Sequence, residues 1–315
     1  MKLISAIIVV KNKPPHLFES LNSIKDFVSE IIIGNIDIGN YYKKRLLENK
    51  KVKIIDLPSN TPFADLVKED LKKEAKGEYI LYLDPDEIFP STEFIPNEVE
   101  GLRTSPQLTS FLNKYDFFLF PRKNIIFSKW IQHSRWWPDY QLRLFKKNAV
   151  NWPKELHPTP KGKGKEYRFE ARVENAILHY NYDTLDQYLQ KAVRYAKAEA
   201  NLKFKQNKEY TLSEVLRQST SEFISRFFAL DGYKDGLHGF VLSVLQMFYY
   251  FLVYFYFWEM KKYPNLEKNT PQHFQSFARN LHFETNFWLS KKNLVSATEK
   301  IKLKIQNKVL KLFGQ

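Results

Sequence analysis

Four short apolar runs in the first 84 residues constrain the fold most: SAIIVV (5–10), EIIIGN (30–35), VKIIDL (52–57) and YILYLD (79–84) are continuous rather than alternating. A strand with one wet face alternates apolar and polar residues, so unbroken runs of this length indicate strands buried on both faces. Between them, HLFESLNSIKDF and TPFADLVKEDLKKEAKG carry apolar residues three and four apart. In the second, Phe63, Leu66, Leu71 and Ala75 are expected to lie toward the sheet, and Gly77 stands where a helix should stop. Strands alternating with helices specify an α/β sheet flanked by helices.

The fourth run ends in ILYLDPDEIF (80–89), where Asp84, Asp86 and Glu87 surround Pro85. Three carboxylates so close repel one another unless a cation offsets them or the turn is fully solvated. Ligands of open α/β sheets bind beyond the carboxyl ends of the strands, which is where this cluster falls. Hard carboxylate oxygens suit Mg²⁺ or Mn²⁺, which needs only one or two protein carboxylates when a diphosphate supplies other ligands. A solvated turn after a strand is the plain alternative.

Two further stretches carry candidate chemistry. HSRWWPDYQLRLF (133–145) sets Asp139 and Arg143 among Trp136, Trp137 and Tyr140. Aromatic faces pack against sugar rings, and a nearby carboxylate can accept a hydroxyl proton; the same stretch also reads as a core strand whose tryptophans simply pack. In KELHPTP, His157 either completes a metal site, binds phosphate or does neither. DFFLF (116–120), QLRLF (141–145) and ENAILHY (174–180) read as strands of a smaller mixed extension, and KGKGKE (161–166) as a mobile basic loop suited to closing on phosphate.

Composition narrows the partners. Of 315 residues, 43% are hydrophobic, enough for a real core, and Lys+Arg 49 against Asp+Glu 35 gives +14, which favours substrate phosphates, nucleic acid or anionic headgroups. The basic residues are spread over loops and the tail without aromatic interleaving, so nucleic acid ranks last. The absence of cysteine excludes disulfide scaffolds, thiolate metal sites and cysteine nucleophiles. The opening MKLISAIIVVKNK lacks a small-residue cleavage site and reads as a first strand of an unexported protein.

The C-terminal third changes character. TLDQYLQKAVRYAKAEANLKFK (184–205) reads as a long amphipathic helix with Leu185, Tyr188, Leu189, Ala192, Tyr195 and Ala196 on one stripe. Gly239 to Trp258 carries no formal charge and is long enough to span about 30 Å of hydrocarbon. Its tyrosines lie along the run and both flanks are basic, which favours an interfacial or re-entrant helix in the cytoplasmic leaflet; a buried soluble helix is the alternative. In the tail, Ile301, Ile305, Val309 and Leu312 share a helical face with lysines over much of the rest, while Leu303 and Leu310 fall outside it. That pattern fits attraction to anionic lipid.

SAIIVVKNK, GEYILYLDPDEIF, WWPDYQLRLFKK, NWPKELHP and ILHYNYDTLDQYLQKAVRYA, in that order over about residues 1 to 200, resemble the family 2 glycosyltransferases of the GT-A fold. The likeness is greatest to the branch acting on lipopolysaccharide core and other surface glycolipids, and the aromatic C-terminal segment is similar to that branch's membrane-associating tail. The resemblance implies a GT-A-type mixed sheet over 1–182, a helical extension over 183–235 and membrane-associating helices over 236–315. It implies an inverting transferase that moves a sugar from a nucleotide-sugar donor to a glycolipid or glycan acceptor at the cytoplasmic membrane face, with Mn²⁺ or Mg²⁺ as cofactor. It assigns donor binding to Lys11, Asn12, Asn35, Asp84 and Arg143, metal binding to Asp86 and His157, the catalytic base to Asp139, and acceptor binding to Trp136 and Trp137. The chain departs from the family pattern at Asn12-Lys13 and at Gly34-Asn35-Ile36-Asp37, so a uridine donor is not implied. Other metal-dependent phosphotransfer or hydrolysis, and a non-catalytic membrane-surface module, are the competing readings.

Overall fold

The computed structural model describes residues 4–90, 106–154, 160–265 and 269–312. Two compact units emerge: one runs to Ile126 and resumes over Trp137–Asn181, and the other combines Phe127–Trp136 with the chain from Tyr182 onward. Residues 127–136, inside the stretch expected to belong wholly to the sheet domain, thus belong to the helical unit.

In the first unit the chain forms β1 (Ile4–Lys11), α1 (Leu17–Ile24), β2 (Glu30–Ile36), α2 (Asn40–Leu47), β3 (Val52–Asp56), α3 (Asp65–Lys73), β4 (Tyr79–Tyr82) and β5 (Glu87–Ile88). After α4 (Pro106–Asn113) come β6 (Phe117–Phe120) and β7 (Arg122–Ile126), and, past the short β8 (Lys129–Trp130) of the other unit, β9 (Gln141–Lys146), β10 (Val150–Asn151), β11 (Lys161–Gly162), β12 (Glu166–Arg168) and β13 (Ile177–Tyr182). The main sheet has the order β12-β6-β9-β4-β1-β2-β3. Its β3-β2-β1-β4 half is parallel, and β9 inserts antiparallel between β4 and β6. Successive residues of β1 serve opposite cores: Ile4, Ala6, Ile8 and Val10 pack with Leu17, Leu21 and Ile24, whereas Ile7 and Val9 pack with Leu71, Ala75 and Tyr82. This two-sided burial is the physical reason the runs are unbroken.

Two details differ from expectation. The fourth strand stops at Tyr82, two residues short of Asp84, because the carboxylates enter a turn. KGKGKE is pinned: Lys161–Gly162 pair with Val150–Asn151, and the Asp116 carboxylate accepts from the Lys165 amide at 2.7 Å. Gly164, at φ +107, lies so close to that carboxylate that a Cβ would stand 2.1 Å from Oδ2. The segment is therefore a tethered edge and not a mobile loop.

The second unit comprises α5 (Leu185–Lys205), α6 (Leu212–Ile224), α7 (Leu237–Met260), α8 (Thr270–Lys291) and α9 (Ala297–Leu312). Thr184 and Thr211 cap α5 and α6 by accepting from the Gln187 and Glu214 amides, each at 3.2 Å. The core joins Ala196 and Ala200 of α5, Val215 of α6, and Val253 and Phe257 of α7 with Tyr210. Leu185, expected on the α5 stripe, is exposed, and Ala200 takes its place in the core. In the tail, the stripe picked out in the sequence is the outward one. Leu303 is buried, while Ile301, Ile305, Val309 and Leu312 are exposed at 62, 57, 46 and 77%. Asn286 of α8 decides this orientation, donating to Gln306 at 3.3 Å and Asn307 at 3.1 Å on the Leu303 side of α9.

Candidate active site

The site begins where β4 ends. Asp84 to Glu87 form a turn in which the Glu87 amide donates to the Asp84 carbonyl at 3.0 Å, with Pro85 in the second position, where its fixed φ suits the bend. The chain then enters β5, which pairs with β13 so that His179 stands opposite Glu87. Strand β7 adds Arg122 and Asn124, two residues apart and so on one face, and β9 adds Gln141 and Arg143 in the same relation. Asp139 follows the cis Trp137–Pro138 peptide just before β9.

These elements divide the three carboxylates into two environments. Glu87 is fully buried, and its Oε1 accepts from Arg143 at 2.6 Å and Arg122 at 3.2 Å. Asp84 pairs with Arg143 at 2.6 Å and with Lys68 at 3.2 Å, and Lys68 also meets Asp65 at 2.9 Å. Burial opposes ionisation of Asp84, but the charges of Lys68, Arg143 and Arg122 outweigh it and hold its carboxyl well below the usual range. Asp86 instead faces His179, whose Nε2 lies 3.7 Å from its Oδ2. The acidic cluster is therefore no solvated turn: cations of the chain neutralise two carboxylates, and the third stands beside an imidazole.

Asp139 is tightly held. Its Oδ2 accepts from Arg122 Nη2 at 2.6 Å, Arg122 Nε at 2.8 Å and Asn124 Nδ2 at 3.1 Å, and its Oδ1 accepts from Gln141 at 2.8 Å. Desolvation pushes its carboxyl up, but Arg122 and the bonds from Asn124 and Gln141 prevail and lower it. A cavity of about 550 Å³ adjoins these groups, lined by Lys68, Asp84, Arg122, Tyr140, Arg143 and Trp152 among others. Buried Lys68 lies 4.7 Å above the Trp152 ring, and the Nε of Arg143 is buried without a hydrogen-bond partner among the described residues. A pocket walled by two guanidiniums and an ammonium is chemically matched to phosphate oxygens.

Asp84, Asp86, Asp139 and Arg143 converge through shared partners. Asn35 makes its hydrogen bonds elsewhere: it is buried, donates to Asp56 and accepts from the Ile38 amide at 3.0 Å, so its side chain ties the end of β2 to β3. Lys11 donates to the Thr61 carbonyl at 3.2 Å, and Asn12 adopts φ 60 at the end of β1. Neither tryptophan lines the cavity. Trp136 belongs to the helical unit, 5.9 Å below the Arg226 guanidinium, while Trp137 belongs to the sheet unit. His157 lies outside the described residues.

Sequence reasoning missed Lys68, Arg122, Asn124 and His179. Their signal was polar residues at strand or helix positions that burial rules reserve for apolar ones: Lys68, Asn124 and His179 are 3, 0 and 5% exposed. Among the described residues, no three His, Asp or Glu side chains form a metal cage. The spacing of Asp86 and His179 does not by itself prevent both from touching one small divalent ion. Two atoms each about 2.1 Å from an ion are at most about 4.2 Å apart, and the observed 3.7 Å lies inside that span.

No protein-family model matches the chain. Proteins named uncharacterized glycosyltransferase from Rickettsia bellii (strain RML369-C) and Rickettsia typhi (strain ATCC VR-144 / Wilmington) are 23% identical over 265 residues, covering 80% of this chain and 84% and 85% of theirs. Among solved structures, S. aureus TarS 1-349 in complex with UDP is 14% identical with a TM-score of 0.41, over 81% of this chain and 91% of that one. Glucosyl-3-phosphoglycerate synthase from Mycobacterium tuberculosis, crystallised with Mn²⁺, UDP and glucosyl-3-phosphoglycerate, is 12% identical with a TM-score of 0.37, over 67% and 82%. Over most of its length the chain is thus similar in sequence to proteins named as glycosyltransferases.

Proposed function

We propose that the protein is a metal-dependent, inverting glycosyltransferase that moves a sugar from a nucleotide donor to a glycolipid or glycan acceptor. The observation that carries this reading is the division of the turn carboxylates beside a cationic cavity: Asp86 with His179, and Asp84 and Glu87 with Lys68, Arg122 and Arg143. Sequence likeness to the Rickettsia proteins supports the transferase class.

In this reading Asp86 and His179 hold the divalent ion, which when bound neutralises charge developing on the donor's diphosphate. Arg143 and Lys68 bind donor oxygens at the cavity wall and keep Asp84 ionised beside them. Arg122 fixes Asp139 by donating from Nε and Nη2 to the same oxygen, Oδ2. Because three of the four bonds to Asp139 fall on Oδ2, Oδ1 is the oxygen that receives the proton of the acceptor hydroxyl. One displacement, with the base opposite the leaving group, inverts the anomeric centre. Membrane attachment is part of the same reading. Helix α7 is long and apolar enough to cross a bilayer by length and composition, and its Phe240, Phe248, Phe255 and Trp258 are exposed.

The test is a thermal-shift screen of the full chain against UDP-, GDP-, CDP- and TDP-sugars with and without Mn²⁺. A donor at a hundredfold over its Kd adds about 2.7 kcal/mol of stability, a shift of several degrees. One nucleotide class should raise Tm in the presence of Mn²⁺ and lose that effect in Asp86→Asn. Asp139→Asn should spare the shift and lower turnover by about 10² to 10⁴. Donor binding indifferent to both Mn²⁺ and Asp86 would reject the metal assignment, and wild-type turnover in Asp139→Asn would reject the base.

A further inference from the structure

The Asn124 side chain touches both halves of the site at once. It is fully buried on β7. Its Nδ2 donates to Asp139 Oδ2 at 3.1 Å, and its Oδ1 lies 2.7 Å from His179 Nδ1. The chemistry of these three groups fixes the proton shared between Asn124 and His179. Asp139 is ionised and can only accept, so the amide must turn its NH₂ group toward it. The amide oxygen then faces His179 and can only accept, so Nδ1 must carry a proton. A neutral imidazole protonated at Nδ1 presents the lone pair of Nε2, and that nitrogen is the one 3.7 Å from Asp86.

We propose that Asn124 is a positioning residue that transmits the charge of Asp139 to His179: through one amide, the carboxylate dictates which imidazole nitrogen is free to bind a cation. The proposal rests on the reading of Asp86 and His179 as an ion site but makes its own statement about the tautomer. It explains why a fully buried amide occupies a strand position where an apolar side chain would otherwise pack. Partners that donate or accept at the far nitrogen of a ligating histidine typically change metal affinity by 10- to 100-fold.

The experiment uses the full chain labelled with ¹⁵N-histidine. Two-bond proton–nitrogen spectra report the tautomer of each of the 7 histidines, and the His179 signal is assigned by its loss in His179→Gln. Wild-type His179 should be the Nδ1–H tautomer. Asn124→Leu, which removes both bonds, should yield a mixed or Nε2–H imidazole. Asn124→Asp keeps an acceptor for Nδ1 and should restore the wild-type tautomer while losing the donor to Asp139. An Nε2–H imidazole in wild type, or an unchanged tautomer in folded Asn124→Leu, overturns the proposal; if Asn124→Leu shows no cooperative melting, the wild-type and Asn124→Asp spectra still decide it. Calorimetric titration with Mn²⁺ alone provides the second arm. Asn124→Leu should weaken affinity 10- to 100-fold in the wild-type background and leave it unchanged in a His179→Ala background. An equal loss in both backgrounds means that Asn124 does not act through His179. A wild-type Nδ1–H imidazole in a protein that binds no Mn²⁺ would sustain the tautomer relay and reject the ion site instead.

Discussion

The sheet unit and the helical unit solve the burial problem in opposite ways. In the sheet unit the apolar residues are consumed by two cores, and the residues gathered around the Asp84–Glu87 turn are charged, buried and paired: Glu87, Arg143 and Lys68 are 0, 4 and 3% exposed. In the helical unit an apolar core joins α5, α6 and α7, yet many large apolar residues are left outside, among them Phe240, Phe248, Phe255, Trp258 and the four residues along α9. Strands stacked in a sheet have two faces and helices cover both, so little apolar surface remains. A helix set side by side with one or two neighbours keeps a face uncovered whatever its composition. The comparison teaches where each unit's chemistry lies: inside a charged cluster in one, on an outward apolar face in the other.

The comparison is broken most severely by Glu87→Ala. That change leaves Arg122 and Arg143 short of a buried carboxylate and should cost about 3–5 kcal/mol, read by urea denaturation; a loss below about 1 kcal/mol would mean that Asp84 and Asp139 alone suffice to balance the guanidiniums. On α9, Leu303→Ala should cost about 2–3 kcal/mol, because it opens a cavity against α8. If Leu303→Ala is neutral and Ile305→Ala is not, the helix orientation described above is wrong.

Acid sensitivity tests the charged cluster of the sheet unit next. Asp84 and Asp139 both titrate lower in the folded protein than in the unfolded chain. The unfolded chain therefore binds more protons, so stability falls as pH drops below about 4, toward the folded values. Asp139→Asn should flatten this dependence, whereas Lys302→Gln or Lys308→Gln on α9 should leave it unchanged.

The smallest effect on stability, with the sharpest functional contrast, belongs to Ile305→Glu. On an exposed face it should change stability by no more than about 0.5 kcal/mol. It should nonetheless reduce sedimentation with vesicles containing phosphatidylserine if the outward face of α9 meets lipid. Unchanged sedimentation of Ile301→Glu/Ile305→Glu would leave α7 as the element to test.

Much of the sheet unit could be read from the chain because buried parallel strands leave an unmistakable signature: four unbroken apolar runs became β1 to β4 within two residues at each end. The Asp84–Glu87 turn and Asp139 were visible as carboxylates at the right places. Of their cationic partners Arg143 was visible beside Asp139, but Lys68 and Arg122 were not, because they lie on separate elements and nothing in their spacing says that they meet it. His179 was hidden for the same reason: within ILHYNY it reads as an ordinary strand residue, and only the pairing of β13 with β5 sets it opposite Glu87.

What the sequence determined by itself was the period of each run and the turn at Pro85, which follow from residues within a few positions of one another, and the strongly basic balance. What only the tertiary structure decided was which apolar face of α9 is buried and which carboxylate stands beside an imidazole. Local periodicity defines a face but does not name its partner. On α9 the stripe richest in aliphatic residues stayed outside because the amide of Asn286 met Gln306 and Asn307 on the other side, and a buried polar group forgoes its hydrogen bonds at a higher cost than a helix exposes one more isoleucine.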